Sequence, residues 1–448
     1  MSSSLSLRLK LAALLLVALA TLVLLVLGLQ PPINQARLQW SPQERAMLNS
    51  LRLPKRLQPR DPSNRFLDSP AAAQLGHQLF FDKRLSGAKD MACATCHIPE
   101  RYFSDGRPLP IVANNTSLSE LPTRHTPTVV GAALHRWQFW DGRADSLWAQ
   151  ALGPLENPLE HNSDRLAIVR YVLNEYRLSY LQVFPNSEVT LPKLERLPEH
   201  GSPLSPIAEY QTNWQQLSSE QRSEINHVFA NIGKALAAYQ AKLLPDDSRF
   251  DRFVDGLNLP TDNRPQSYLD QHEQAGLKLF ISEQAGCIQC HNGPLFSNSD
   301  FQATLSSADI TPEREGRIAG IALAHADPFN CRGIYSDAPN SCGELDFAKV
   351  DGIELQAAFK VPGLRNVAKT APYMHDGGFA SLSEVLHYYN QAPTHGFSHN
   401  ELQPLRLLPY QLKQLESFLV ALNSELITDA YWLTPLLPLR KEITHEHS

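Results

Sequence analysis

Cys93-Ala94-Thr95-Cys96-His97 returns further along the chain as Cys287-Ile288-Gln289-Cys290-His291. Each copy reads Cys-x-x-Cys-His. Two thiols so spaced can add to the vinyl groups of a haem while the histidine that follows takes one axial position on its iron, which is the attachment signature of a c-type haem. The two copies take four of the chain's six cysteines, so chance accounts for them poorly. A zinc site would need a second Cys or His pair at ligand spacing, and none follows either motif. A thioredoxin-like redox pair would sit in an alternating strand and helix pattern, which the flanking sequence lacks.

The repeat extends beyond the motifs. Gly76-His77-Gln78-Leu79-Phe80 precedes the first and Gly276-Leu277-Lys278-Leu279-Phe280 the second, so each motif follows a short predicted helix carrying Gly-x-x-Leu-Phe. Phe103 and Phe296 fall at similar distances after them. The spacing from Pro127 through Asp141-Gly142 to Ser146-Leu147 equals that from Pro362 through Asp376-Gly377 to Ser381-Leu382, which is the mark of an internal duplication. An insertion in the second copy, roughly Thr304 to Phe359, holds Cys331 and Cys342. The expected fold is therefore mainly α: two cytochrome c-like haem domains related by internal duplication, built of short helices, preceded by an N-terminal transmembrane helix. Thirty-three prolines agree with many turns and few long helices.

Leu11 to Leu29 carries no charge and follows Arg8 and Lys10. That is close to a bilayer span, and the basic flank keeps the N-terminus cytoplasmic, so the remainder would be exported. Ala18-Leu19-Ala20 resembles a signal-peptidase site, but the apolar run continues beyond it, which favours a retained anchor. An oxidising compartment suits Cys331 and Cys342 as a disulfide, two free thiols being the alternative. The net charge of -6 gives no polybasic footprint and excludes nucleic acid as a partner.

The expected divisions are residues 1–30 as anchor or signal segment, 31–65 as a linker rich in Pro, Arg and Gln, and 66–245 as the first haem domain. Residues 246–430 form the second haem domain and 431–448 a tail whose His445 and His447 are solvated. A helix is predicted over Leu217 to Leu243, opened by a Ser218/Gln221 capping box and stopped at Pro245-Asp246-Asp247-Ser248. Asn186 to Thr212 reads as a surface excursion before it, and a last helix starts at Pro409.

Whether each iron has an open face decides between electron carriage and peroxide chemistry. In the internal alignment Tyr389 pairs with Pro154. Proline has no ligating atom, so the first haem is expected to be open on its distal side, and a second ligand at the other iron falls to Tyr389 or its neighbour Tyr388.

Arg136-Trp137-Gln138-Phe139-Trp140-Asp141-Gly142-Arg143-Ala144-Asp145-Ser146-Leu147, Pro362-Gly363-Leu364-Arg365-Asn366-Val367 and Pro372-Tyr373-Met374-His375-Asp376-Gly377 resemble the bacterial di-haem cytochrome c peroxidase and MauG family over about Phe66 to Leu422. The resemblance implies that Trp140 lies between the haems as an electron conduit, that Glu160 is the distal acid, and that Gln150 and Pro154 line the same pocket. It implies that Thr370 and Pro372 give backbone carbonyls to an inter-haem calcium, although His125 stands where relatives often have Asn. Where typical peroxidases of the family carry a His that blocks the first iron before activation, this chain has Ala113. Where they carry a Met on the second iron, it has Tyr389, as MauG-type enzymes do. MauG's Trp before the second haem motif is replaced by Ala285.

The sequence thus leads to a periplasmic, inner-membrane-anchored haem peroxidase with two covalent c-type haems, held by Cys93, Cys96, His97, Cys287, Cys290, His291 and Tyr389. Hydrogen peroxide is reduced at the first haem, and a protein donor or protein substrate is oxidised through the second. A plain cytochrome c peroxidase fed by a small cytochrome and a non-catalytic di-haem carrier are the alternatives.

Overall fold

The computed structural model describes residues 38–113, 122–186, 194–260, 268–304, 316–393 and 402–436. The expected anchor and the tail's His445 and His447 lie outside the described residues. Helix α1 (Pro42–Leu51) precedes a first half containing α2 (Pro70–Phe81), α3 (Leu147–Glu156), α4 (Arg165–Glu175), α5 (Arg177–Val183), α6 (Ala208–Gln216) and α7 (Ser219–Gln240). The second half contains α8 (Arg249–Leu257), α9 (Gln271–Phe280), α10 (Arg317–Ala326), α11 (Leu382–Gln391) and α12 (Pro409–Ala421). Two short strands, β1 (Phe301–Gln302) and β2 (Phe359–Lys360), pair antiparallel. No helix among the described residues is long and apolar enough to cross a membrane.

The Gly-x-x-Leu-Phe helices explain how each half closes. Gly76 of α2 lies so close to α7 that a Cβ there would sit 1.9 Å from the Ala235 carbonyl oxygen, and a Cβ at Gly276 of α9 would sit 1.9 Å from that of Gln414 in α12. Only glycine permits such crossings, and the same residue performs the same crossing in both halves. Around the first crossing Leu79, Phe80, Phe103, Trp148, Phe229 and Tyr239 are buried together. Around the second, Phe250, Phe280, Phe296 and Phe418 pack ring on ring. Helix α7 opens on Ser218, whose hydroxyl accepts the Gln221 N–H while the Gln221 side chain returns to the Ser218 N–H.

The duplication is visible bond by bond. An isolated bridge pairs Gln138 with Ala144 in the first half and Tyr373 with Phe379 in the second. Phe139 and Met374 share a left-handed backbone at φ 64° and 69°, and Gly142 and Gly377 follow at 70° and 65°. The halves then exchange equivalent hydrogen bonds. The His125 N–H donates to the His375 carbonyl at 2.8 Å, and the Lys360 N–H donates to the Trp140 carbonyl at 2.7 Å. His125 and Lys360 occupy equivalent positions of the repeat, as do Trp140 and His375, so this seam has approximate two-fold character.

Three expectations about the periphery need correction. Residues 38–64 are not a tether. Ser41 caps α1 with Glu44 in a capping box, Leu48 and Leu51 are buried in the second core, and the Arg365 guanidinium donates to the Leu51 carbonyl at 2.9 Å. The Pro and Arg content that reads as linker instead supplies caps and ion pairs, such as Arg52 with Asp255 at 2.8 Å. The expected tail from 431 begins with packed residues: the Trp432 ring meets His77 and its carbonyl accepts the Tyr239 hydroxyl at 2.7 Å. Within Asn186 to Thr212, Leu194, Gly201 and Ser202 are buried, because Asp164 accepts the Gly201 N–H and Glu156 the Ser202 hydroxyl.

Candidate functional site

Each haem-attachment motif forms one tight turn, helical over Cys93–Cys96 and 3-10 over Cys287–Gln289. Phe103 and Phe296, at φ 57° and 53°, aim their carbonyls back at the motif histidines. His97 Nδ1 lies 3.1 Å from the Phe103 oxygen and His291 Nδ1 lies 2.9 Å from that of Phe296. A carbonyl only accepts, so Nδ1 carries the proton and Nε2 keeps its lone pair, which is how a metal-ligating histidine is usually oriented. Burial lowers the pKa of both rings and keeps them neutral. Burial also pushes the Cys93, Cys96 and Cys287 thiols up to about 12, and all four motif cysteines are free of disulfide bonds. Two half-buried thiols outside any disulfide, beside one oriented, neutral imidazole, suit a thioether-linked haem in each half. Cys331 and Cys342, by contrast, are joined by a disulfide.

Equivalent helices face the two motifs. Ser146 caps α3 by accepting the Ala149 N–H at 3.3 Å, and Ser381 caps α11 by accepting the Glu384 N–H at 3.2 Å. Counted from these caps, Pro154 and Tyr389 hold the same place on their helices. Tyr389 lies half-buried beside Cys287 and Cys290, its hydroxyl bonded at Thr304, and burial raises the phenol's pKa. Tyr388 donates to the Thr304 carbonyl at 2.8 Å and packs on Phe379.

Glu160 lies past the end of α3, close enough to Cys93 and Cys96 for its charge to raise both thiols. Its Oε2 is buried without a hydrogen-bond partner. Burial raises its pKa, opposed by Arg143. Although part of the side chain is accessible, the dense protein around it governs its charge. Arg143 lies 3.6 Å from the Phe139 ring centroid and pairs with Asp141 at 2.9 Å. Gln150, half-buried on α3, donates its N–H to Ser146. Ala113 is buried, its N–H bonded to the Leu159 carbonyl at 3.0 Å next to Glu160.

At the seam Trp140 Nε1 donates to the His125 carbonyl at 2.8 Å, and its ring meets His375 edge-on at 6.5 Å. His375 stacks on Phe359 at 3.7 Å. The His125 ring donates through Nδ1 to the Arg107 carbonyl at 2.8 Å and also interacts with the Thr370 carbonyl. Calcium takes six to eight oxygen ligands. With an imidazole on Thr370, the surroundings of Thr370 and Pro372 do not fit that ion, and no step below uses it.

Three side chains passed over in the sequence reading are near these centres. His161 is buried with neither ring nitrogen hydrogen-bonded, and burial takes its pKa down to about 4. His135 and Lys360 lie together on the seam. The repeat could have flagged Lys360, because it aligns with His125. Nothing in the local sequence marks His161 or His135.

A mainly helical chain that repeats one haem-binding unit and joins the copies through a tryptophan-bearing seam is a di-haem c-type cytochrome. Residues 70–258 match the family model described as di-haem cytochrome c peroxidase. The cytochrome-c peroxidase IdrP2 of Denitromonas iodatirespirans is 30% identical over 358 residues, covering 79% of this chain and 81% of that protein. The methylamine utilization protein MauG of Methylorubrum extorquens is 29% identical, covering 80% and 79%. Among solved structures, a MauG-like protein associated with microbial copper homeostasis superposes with a TM-score of 0.59 at 24% identity, covering 88% of this chain and 99% of that one, a likeness of fold. The chain belongs to the di-haem cytochrome c peroxidase family that includes MauG: it is an oxidoreductase of the haem peroxidase class with two c-type haems.

Proposed function

We propose that the protein reduces hydrogen peroxide at the haem held by Cys93, Cys96 and His97, and draws the electrons through the haem held by Cys287, Cys290, His291 and Tyr389. The observation that carries this reading is the asymmetry between equivalent positions: Tyr389 lies beside the second motif, Pro154 holds the same place on the equivalent helix of the first half, and Glu160 lies beside the first motif. When bound, a haem iron with an open coordination position binds peroxide and promotes cleavage of its O–O bond. Reduction to two waters takes two electrons and two protons. Glu160, whose pKa burial raises, is the group placed to hold and transfer a proton at the oxygen that leaves. Arg143 limits how far that carboxyl is raised, Phe139 fixes Arg143, and Pro154 and Gln150 shape the pocket. Trp140 bridges the halves as the conduit, held by His125 and Lys360.

The electron source is a protein, either a donor cytochrome or a substrate oxidised at a side chain. Relatives named cytochrome-c peroxidase favour the first and those named MauG the second; Tyr389 inclines the reading toward the MauG-like use, a phenolate favouring the ferric iron. We place the chain in the periplasm, held to the inner membrane by residues 1–30, with haem domains over 66–245 and 246–430. Ala113 gives the reading its test: the oxidised protein as isolated should consume peroxide at once. Activity that requires prior reduction by one electron would overturn the open-face reading.

A further inference from the structure

Lys360 is the last residue of β2, and it grips the Trp140 segment twice. Its backbone N–H donates to the Trp140 carbonyl at 2.7 Å, and its ammonium donates to the Trp137 carbonyl at 2.9 Å. No carboxylate among the described residues forms an ion pair with it. Burial is the cause that pushes its pKa down, to about 8. An ammonium has three donors, and one carbonyl uses one of them. The side chain is half-buried, where a charge without a counter-charge is poorly solvated. The His135 ring lies next to it, held neutral by burial and by the nearby ammonium, and its buried Nδ1 has no hydrogen-bond partner. Gly363 faces the same ring: a Cβ there would come within 3.5 Å of His135 Nε2 and 3.1 Å of the Leu295 oxygen. Two side chains with unspent donors therefore converge beside the residues that flank the second motif, where the Phe296 and Pro362 carbonyls hold the His291 ring.

The geometry points to Lys360, with His135, as the receiving site for a carboxylate of the haem bound at Cys287, Cys290 and His291. The inference rests on the two-haem reading above. A haem carries two propionate carboxylates, and an ammonium bonded to one of them opposes the negative charge that favours ferric over ferrous iron. The lysine would thereby hold the relay haem against the Trp140 segment and raise its reduction potential.

The full-length holoprotein tests this through Lys360→Gln, which keeps a donor for the Trp137 carbonyl, and Lys360→Met. Lys360→Arg serves as the charge-preserving control. Haem content is measured first. Fewer than two covalent haems in the wild type would defeat the two-haem reading and not this site. With two haems present, spectroelectrochemical titration should show the second-motif haem of Lys360→Gln shifted downward. The expected size is at least a tenfold change in its oxidised-to-reduced ratio at the wild-type midpoint, about 59 mV for one electron. Lys360→Met should shift likewise, and Lys360→Arg should recover at least half of the shift. Loss of the second haem from Lys360→Gln with retention in Lys360→Arg would also support the site. An unchanged potential in Lys360→Gln, a shift confined to the first-motif haem, or no recovery with arginine would overturn it.

Discussion

At the residue scale, function turns on differences between positions that the duplication made equivalent. Glu160 is half-buried in dense protein and its pKa is raised from 4.5. Between that unfolded value and the folded one, the native state holds a proton that the unfolded chain has released, so this group's contribution to stability falls as pH rises through the window. In turnover, the same shift should appear as a pH limb with its midpoint above 4.5. Glu160→Gln should abolish that limb and slow peroxide consumption by about a hundredfold or more, the scale of general acid-base catalysis, while both haems are retained; unchanged turnover would return Glu160 to a structural role. Tyr389 makes the second case. A phenolate stabilises ferric iron more than a thioether does, so Tyr389→Met should raise the potential of the second haem. Equal potentials in a redox titration would refute the ligand assignment, whereas Tyr388→Phe, which removes the hydroxyl bonded to the Thr304 carbonyl, should leave the potential in place.

Elements were legible where the sequence repeats itself. The helices carrying Gly76 and Gly276, the long helix capped by Ser218 and the last helix at Pro409 all announce themselves by cap residues and by apolar spacing. Helix α1 carries a local signal too, the Ser41–Glu44 capping box with Pro42 in the first turn, but where it docks is not legible in the local sequence, because what fixes it lies far away in the chain. The Arg365 guanidinium donates to the Leu51 carbonyl and to both Asp251 oxygens, at 2.8 and 3.0 Å, and Asp251 also accepts the Leu53 N–H and the Ser248 hydroxyl. Both ion-pair members are almost wholly buried. Removing one leaves the other charged and unpaired, so Arg365→Ala should cost about 3–5 kcal/mol in denaturant unfolding. The pair also lowers the pKa of Asp251 from 3.8, so its contribution is present above that unfolded value and is lost as pH falls through the folded one. In Arg365→Ala most of that acid-side loss should disappear; a variant with unchanged stability and acid sensitivity would show that the pair does not anchor α1.

For the whole molecule, the duplication builds two centres and the seam couples them. The haem motifs, the repeat and the pairing of Pro154 with Tyr389 could all be read from residue order, because covalent attachment and helix position leave local signatures. The seam could not. Its hydrogen bonds from His125 to His375 and from Lys360 to Trp140 join residues far apart in sequence through backbone atoms, which carry no residue-type signal. Loss of one centre should leave the other: Cys93→Ala with Cys96→Ala should halve the haem stain on a denaturing gel, and full retention would contradict thioether attachment there. In the proposed function one iron is open and the other closed. Electron paramagnetic resonance of the purified ferric protein measures this directly. The proposed ligation predicts one high-spin signal, removed by a strong-field ligand such as cyanide, beside one low-spin signal that cyanide leaves in place; two low-spin signals in the untreated protein would contradict it.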